Sequence, residues 1–239
     1  MNYLDEYVKK YDLTNPKLKY KYHHSYRVME NMCLLAKNMN LSYQDINLAK
    51  CIGILHDIGR FEQYQRLECF NDELLDHGDY AVSLLEKEKI LLNFNISKED
   101  YHIIYTAIKN HNKYKIEDNL TKRELLFAKM IRDADKLDIL YALSNPEIKP
   151  KIYEDDGKIS KEIKNSFYKE ISASKDYIHN ANDNIVLLFS FVYDINFYIT
   201  KYLIKKKDYY GKIYNRLKNK DIFKEYYEYT NNYLKERTE

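Results

Sequence analysis

The stretch CIGILHDIGRFEQY, residues 51–64, is apolar on nearly every side through Cys51, Ile52, Ile54 and Leu55 and then meets His56 and Asp57. Such a pattern predicts a helix buried all round that ends on an imidazole and a carboxylate. Two groups of that kind need a hydrogen-bond partner or a metal ion when they leave water, so the fold must bring one to this helix end. The rest of the chain leans the same way. Five glycines and three prolines in 239 residues leave little turn chemistry for a many-stranded sheet, and the charged residues, 32% of the chain, recur between apolar ones at helical spacing. The expected fold class is all-α.

Capping signals divide the chain into helices. A first helix is predicted to end near Tyr11, and a longer one to run from Pro16 to Asn38, with the proline in the first turn. Ser42 is the expected cap of the helix that ends at His56 and Asp57, broken by Gly59, with residues 60–76 irregular. Asp76 precedes a helix over 77–89, Ser97 and Asp100 form a capping pair for a helix reaching His111, and Thr121 with Glu124 has the capping-box form for a helix through Asp138. The expected organisation is a core over 1–143, a connecting loop over 144–158 rich in turn residues, and C-terminal helices over 159–239 packed on that core. Three or four helices are expected there, with 184–203 as one core helix.

Composition narrows the context. Cys33, Cys51 and Cys69 fit neither a disulfide framework nor a paired thiolate site, which implies a reducing cytosol. No apolar run reaches the roughly 18 to 20 residues of a membrane span, and no cleavable leader is visible, so a cytoplasmic protein without membrane contact is expected. A formal charge of +2 says little about nucleic acid. Between Lys201 and Lys224, however, nine basic residues face two aspartates, with Tyr202, Tyr209, Tyr210 and Tyr214 interleaved. That stretch is read as a solvated helix face, with RNA contact as its weaker alternative.

A solvated histidine belongs on the polar face of its helix, and four here do not. His24 shares a stripe with Val28, Met32 and Leu35, and His56 follows Ile52 by four residues. His77 is followed at helical spacing by Tyr80, Ala81 and Leu84, and His111 closes a stripe with Ile104, Ala107 and Ile108. Asp135 falls in line with Ala128 and Ile131. By the same test His23, His102 and His179 are surface residues. Four imidazoles and two carboxylates pointing inward from several helices call for a shared positive charge, and this ligand set suits Mn, Fe, Co, Ni or Zn. Six ligands exceed one tetrahedral site and suit two ions about 3.5 to 4 Å apart.

The pieces HSYRV (24–28), LHDIGR (55–60), DHGDYAVSLL (76–85), IKNHN (108–112) and RDADKLD (132–138) occur in the order that marks the HD-domain superfamily, which this chain resembles over roughly residues 20–143. The resemblance implies a helical bundle in which His24, His56, Asp57 and Asp135 hold one divalent ion and His77 and His111 the other, with Asp57 bridging. It further implies a phosphohydrolase in which a metal-bridging hydroxide attacks a small phosphorylated substrate, a nucleotide-type phosphomonoester or phosphodiester. Asp57 and Arg60 are then the catalytic pair. Arg60 and Lys113 are candidate phosphate contacts, and Arg27 and Asp133 are expected to orient ligands. The GYP motif of the cyclic-di-GMP branch is missing, as is the acidic companion motif of alarmone hydrolases. Two alternatives share the ligand set: an HD-fold di-iron oxygenase, and a metal-stabilised RNA- or nucleotide-binding protein without turnover.

Overall fold

Asn15 accepts a hydrogen bond from the N–H of Lys17 and Pro16 takes the first helical position, so the long helix begins where its proline predicts. In the computed structural model, which describes residues 3–238, all regular structure is helical. The first helices are α1 (Tyr3–Tyr7), α2 (Pro16–Asn38), α3 (Tyr43–Leu55), α4 (Ile58–Leu67), α5 (His77–Lys87), α6 (Tyr101–Asn110) and α7 (Lys122–Ser144). They are followed by α8 (Lys161–Tyr168), α9 (Ala181–Ser190), α10 (Tyr198–Lys206), α11 (Tyr209–Arg216) and α12 (Lys220–Glu236). Among the described residues no helix is long and apolar enough to cross a membrane, and all three cysteines are free.

The chain divides into two compact units, Met1–Asp135 and Lys136–Glu239, so the division falls within α7 and the helix-free segment 145–160 lies in the second unit. In the first unit the stripes of α2, α3, α6 and α7 bury Met32, Leu35, Ile52, Leu55, Ile104, Phe127 and Ile131. The second unit has its own core, in which Phe167, Phe189, Tyr210, Phe223 and Tyr226 are buried.

Three expectations need correction. Gly59 does not break the chain: α4 runs straight through it and through residues expected to be irregular. Its function is contact. A Cβ on Gly59 would lie 2.5 Å from the carbonyl oxygen of His77 and 3.0 Å from the N of Ala81, so only a glycine lets α4 touch the backbone of α5. The stretch 184–203 is not one helix. At the last residue of α9 the hydroxyl of Ser190 donates to the carbonyl of Leu187, residues Phe191–Asp194 form a 3-10 turn, and the Asp194 carboxylate accepts from Lys136 at 2.7 Å. Polar side chains that bond nearby groups in this way stop the helical ladder, and α10 starts only at Tyr198. Five α-helices, not three or four, follow residue 160 among the described residues.

Smaller differences lie at helix ends. Ser97 accepts from Glu99 and caps a 3-10 turn ahead of α6. Thr121 and Glu124 make the reciprocal capping box, and α7 continues past Asp138 to Ser144.

Candidate metal centre

Two helices end in the same way. His56 follows α3 and His111 follows α6 in the C-cap position, and each turns its Nδ1 back to a carbonyl three residues earlier, Gly53 at 2.7 Å and Ile108 at 2.6 Å. The bond satisfies a carbonyl that the helix leaves open. It also fixes the tautomer: Nδ1 carries the proton, and Nε2 presents a lone pair. His77 starts α5 behind the Asp76 cap, with its Nδ1 2.6 Å from Asp72 Oδ1. His24 and Asp135 project from inside α2 and α7.

All six residues meet. His24 Nε2 lies 3.2 Å from His56 Nε2 and 3.1 Å from Asp135 Oδ1, and His77 Nε2 lies 2.9 Å from His111 Nε2. Asp57 stands between these groups, and its two oxygens are divided between them. Oδ2 is 3.3 Å from His24 and 3.6 Å from His56, whereas Oδ1 is 3.2 Å from His77 and 3.7 Å from His111. Asp57 holds the N-cap position of α4 yet makes no capping bond, because its carboxylate faces the imidazoles instead. The histidines and Asp57 are at most 5% exposed, and Asp135 keeps an open edge.

The electrostatics favour a bound cation. Burial holds His56 neutral, its pKa lowered to about 3, and lowers His111 for the same reason. Burial alone would raise Asp57 and Asp135. For Asp57 the Lys21 ammonium and His56 outweigh it, and for Asp135 the contact with His24 does, so both carboxylates lie below their ordinary range. The result is a cluster of lone pairs and negative oxygens facing one another at 3–4 Å, at the negative ends of α3 and α6. Two groups of these atoms, His24 with His56 and Asp135, and His56 with Asp57 and His111, are close enough to share an ion. Nitrogen and carboxylate donors of this kind fit divalent transition metals.

Around the centre, the other candidates are differently placed. Arg60 is buried and its guanidinium bonds Asp72 at 2.7 and 3.3 Å and Gln63 at 2.7 Å, with Nε 3.7 Å from Asp57 Oδ1. The carboxylate it hydrogen-bonds is Asp72. Lys113 bonds Asp76 and Asp79 at the start of α5, not the six residues. Arg27 lies over the ring of Tyr20, which itself stacks on His24, and Asp133 is buried on α7. His23, His102 and His179 are exposed. In the basic stretch, Lys205, Lys206 and Lys207 are exposed, but Tyr210 is buried, Tyr214 stacks on Tyr227, and Arg216 bonds the carbonyls of Leu143 and Lys149.

Three residues at the site escaped the sequence reading. Lys21 bonds Asp57 Oδ2 at 2.6 Å; it lies one turn before His24, and the test of faces applied to histidines would have found it if applied to lysines. Asp72 holds both His77 and Arg60 from a segment with no periodicity to read. Arg132 is buried and donates to the carbonyls of Asn110 and Lys113, on either side of His111; its place in RDADKLD was the available signal.

A family model described as HD domain matches residues 22–140, a span that holds all six central residues. No curated protein and no solved structure matches the chain.

Proposed function

Because residues 22–140 belong to the HD domain family of metal-dependent phosphohydrolases, we propose that this protein hydrolyses a nucleotide-type phosphomonoester or phosphodiester with two divalent ions held by His24, His56, Asp57, His77, His111 and Asp135. The observation that carries the reading is the division of Asp57, one oxygen toward His24 and His56, the other toward His77 and His111. A carboxylate so placed is suited to bridge two cations. When bound, such ions neutralise phosphoryl oxygens and activate water for in-line attack on phosphorus.

The protein's own groups prepare that chemistry. His56 and His111 are held by backbone carbonyls with Nε2 free of a proton, so neither needs to ionise before it ligates. His77 is oriented by the Asp72 carboxylate at its Nδ1, which turns its Nε2 toward the centre. Burial keeps bulk water from these side chains and strengthens their fields.

The deciding experiment is metal analysis of anaerobically purified protein, followed by assay of the same samples against a panel of nucleotides and phosphodiesters. Release of phosphate or cleavage of a diester in proportion to metal content supports the reading. Iron-dependent oxygen uptake without phosphoester hydrolysis would replace it with the di-iron oxygenase alternative.

A further inference from the structure

Lys21 lies on the same face of α2 as His24 and directs its ammonium at the central carboxylate, 2.6 Å from Asp57 Oδ2. An ammonium carries three N–H donors. Among the described residues, Asp57 is the only side-chain acceptor that Lys21 meets. Its other neighbour is the half-buried ring of Phe70, 5.7 Å from Nζ to the centroid. The lysine side chain is 16% exposed where Asp57 is 2% exposed, so it reaches the carboxylate from the open side.

Arg60, the other cation beside Asp57, is in a different position. Two bonds to Asp72 and one to Gln63 hold its terminal nitrogens, and its Nε, buried and without a hydrogen-bond partner, stops 3.7 Å short of Asp57 Oδ1. Lys113 is bonded to Asp76, the N-cap of α5, and to Asp79 in its first turn. Of these three cations, Lys21 alone makes a hydrogen bond to the centre while keeping donors free on its open side.

We propose that Lys21 binds a phosphoryl oxygen of the substrate, with Asp57 anchoring one of its N–H groups and the other two serving the phosphate. This rests on the phosphohydrolase reading above. An ammonium suits the task as a compact charge that needs no planar match, and a charge-assisted bond of this kind is worth about ten- to a hundredfold in affinity. Held on a rigid helix one turn from His24, the charge is already in place when the phosphate arrives.

The test uses the full chain loaded with Mn(II) and inorganic phosphate as the probe, titrated calorimetrically. Lys21→Met should keep its helicity and manganese content and lose about ten- to a hundredfold in phosphate affinity, and Lys21→Arg should recover part of that. If the Met variant misfolds, Lys21→Gln carries the measurement, since an amide can still donate to Asp57 without a charge. Unchanged phosphate affinity in either neutral variant would overturn the proposal, as would absence of phosphate binding by the wild type. Loss of manganese from these variants would overturn it too, by making Lys21 a prop for Asp57. No step of the titration requires turnover, so failure of the wild type to hydrolyse any phosphoester would count against the preceding reading and leave this one to its own result.

Discussion

Arg60 grips both oxygens of Asp72, at 2.7 and 3.3 Å, and Oδ1 of that carboxylate also lies 2.6 Å from His77 Nδ1. A guanidinium that makes no hydrogen bond to the central carboxylate thus fixes the direction of an imidazole in the centre. The arrangement makes the loop over residues 68–76 part of the site's frame, although only Asp72 connects it to His77 and Arg60 together.

Arg60→Ala should lower the unfolding free energy by about 2–4 kcal/mol, the value for breaking a buried pair discounted for the partial exposure of Asp72. Arg60→Lys should restore less than half, since an ammonium cannot make both bonds. Urea unfolding measures this, and equal stability of all three proteins would show that the pair is idle.

Asp57→Ala should remove metal from both halves of the centre while the protein stays helical, because each oxygen serves a different pair of histidines. Elemental analysis with circular dichroism checks it. A folded variant with full metal content would refute the bridging role.

His77→Ala and His111→Ala should each lose about one ion per chain and retain the other, as their inward nitrogens meet at 2.9 Å on one side of Asp57. His102→Ala, on the exposed side of α6, should lose none. Equal losses at His102 and His111 would contradict the assignment of faces.

Gly59→Ala should destabilise the protein by about 1–3 kcal/mol, the usual effect of overpacking, since its new methyl would press on backbone atoms that cannot rotate away. As α4 follows Asp57 and α5 starts at His77, the shift should also weaken metal retention on the His77 side. Thermal melting and competition with a chelator report the two effects; a melt unchanged by the methyl would mean that the helices part freely.

In the presence of chelator, stability should fall as pH falls from about 6.5 toward 3. His56 and His111 have lowered pKa values in the fold, so over that range the unfolded chain binds more protons and gains by acidification. Each histidine adds a slope of up to ~1.4 kcal/mol per pH unit. Asp57 and Asp135, also lowered, add their loss below the ordinary carboxylate pKa of about 4. His56→Gln should flatten the curve between pH 6 and 4, and an unaltered slope would show that His56 does not titrate on unfolding.

How much of this could be read in advance differs from residue to residue. Five of the six central side chains were legible because a helix repeats every 3.6 residues, so a polar group on an apolar stripe is conspicuous, and Asp57 was legible as the carboxylate beside His56 at the end of an apolar helix. Pro16 in the first turn of α2 and the caps at Ser42 and Asp76 were legible because their chemistry is local. Gly59 misled because a glycine that breaks a helix and one that admits a neighbouring helix have the same letter, and only the approach of α5 distinguishes them. Asp72 lies in a segment whose position depends on its partners. The end of α9 is similar: Ser190 and Asp194 act through bonds to Leu187 and Lys136, and the second of these lies 58 positions away in the sequence.

The divided carboxylate of Asp57 has a thermodynamic consequence. With two ions bound as proposed, a residue shared between their ligand sets would tie the occupancies together, so that the first ion to bind changes the affinity for the second, and by reciprocity the second changes the first by the same factor. A metal titration of the wild type should therefore depart from the sum of two independent isotherms, whereas His77→Ala, with one set impaired, should follow a simple one. The sign of that departure measures whether Asp57, in drawing two like charges together, helps the second ion more by its geometry than the first opposes it by repulsion.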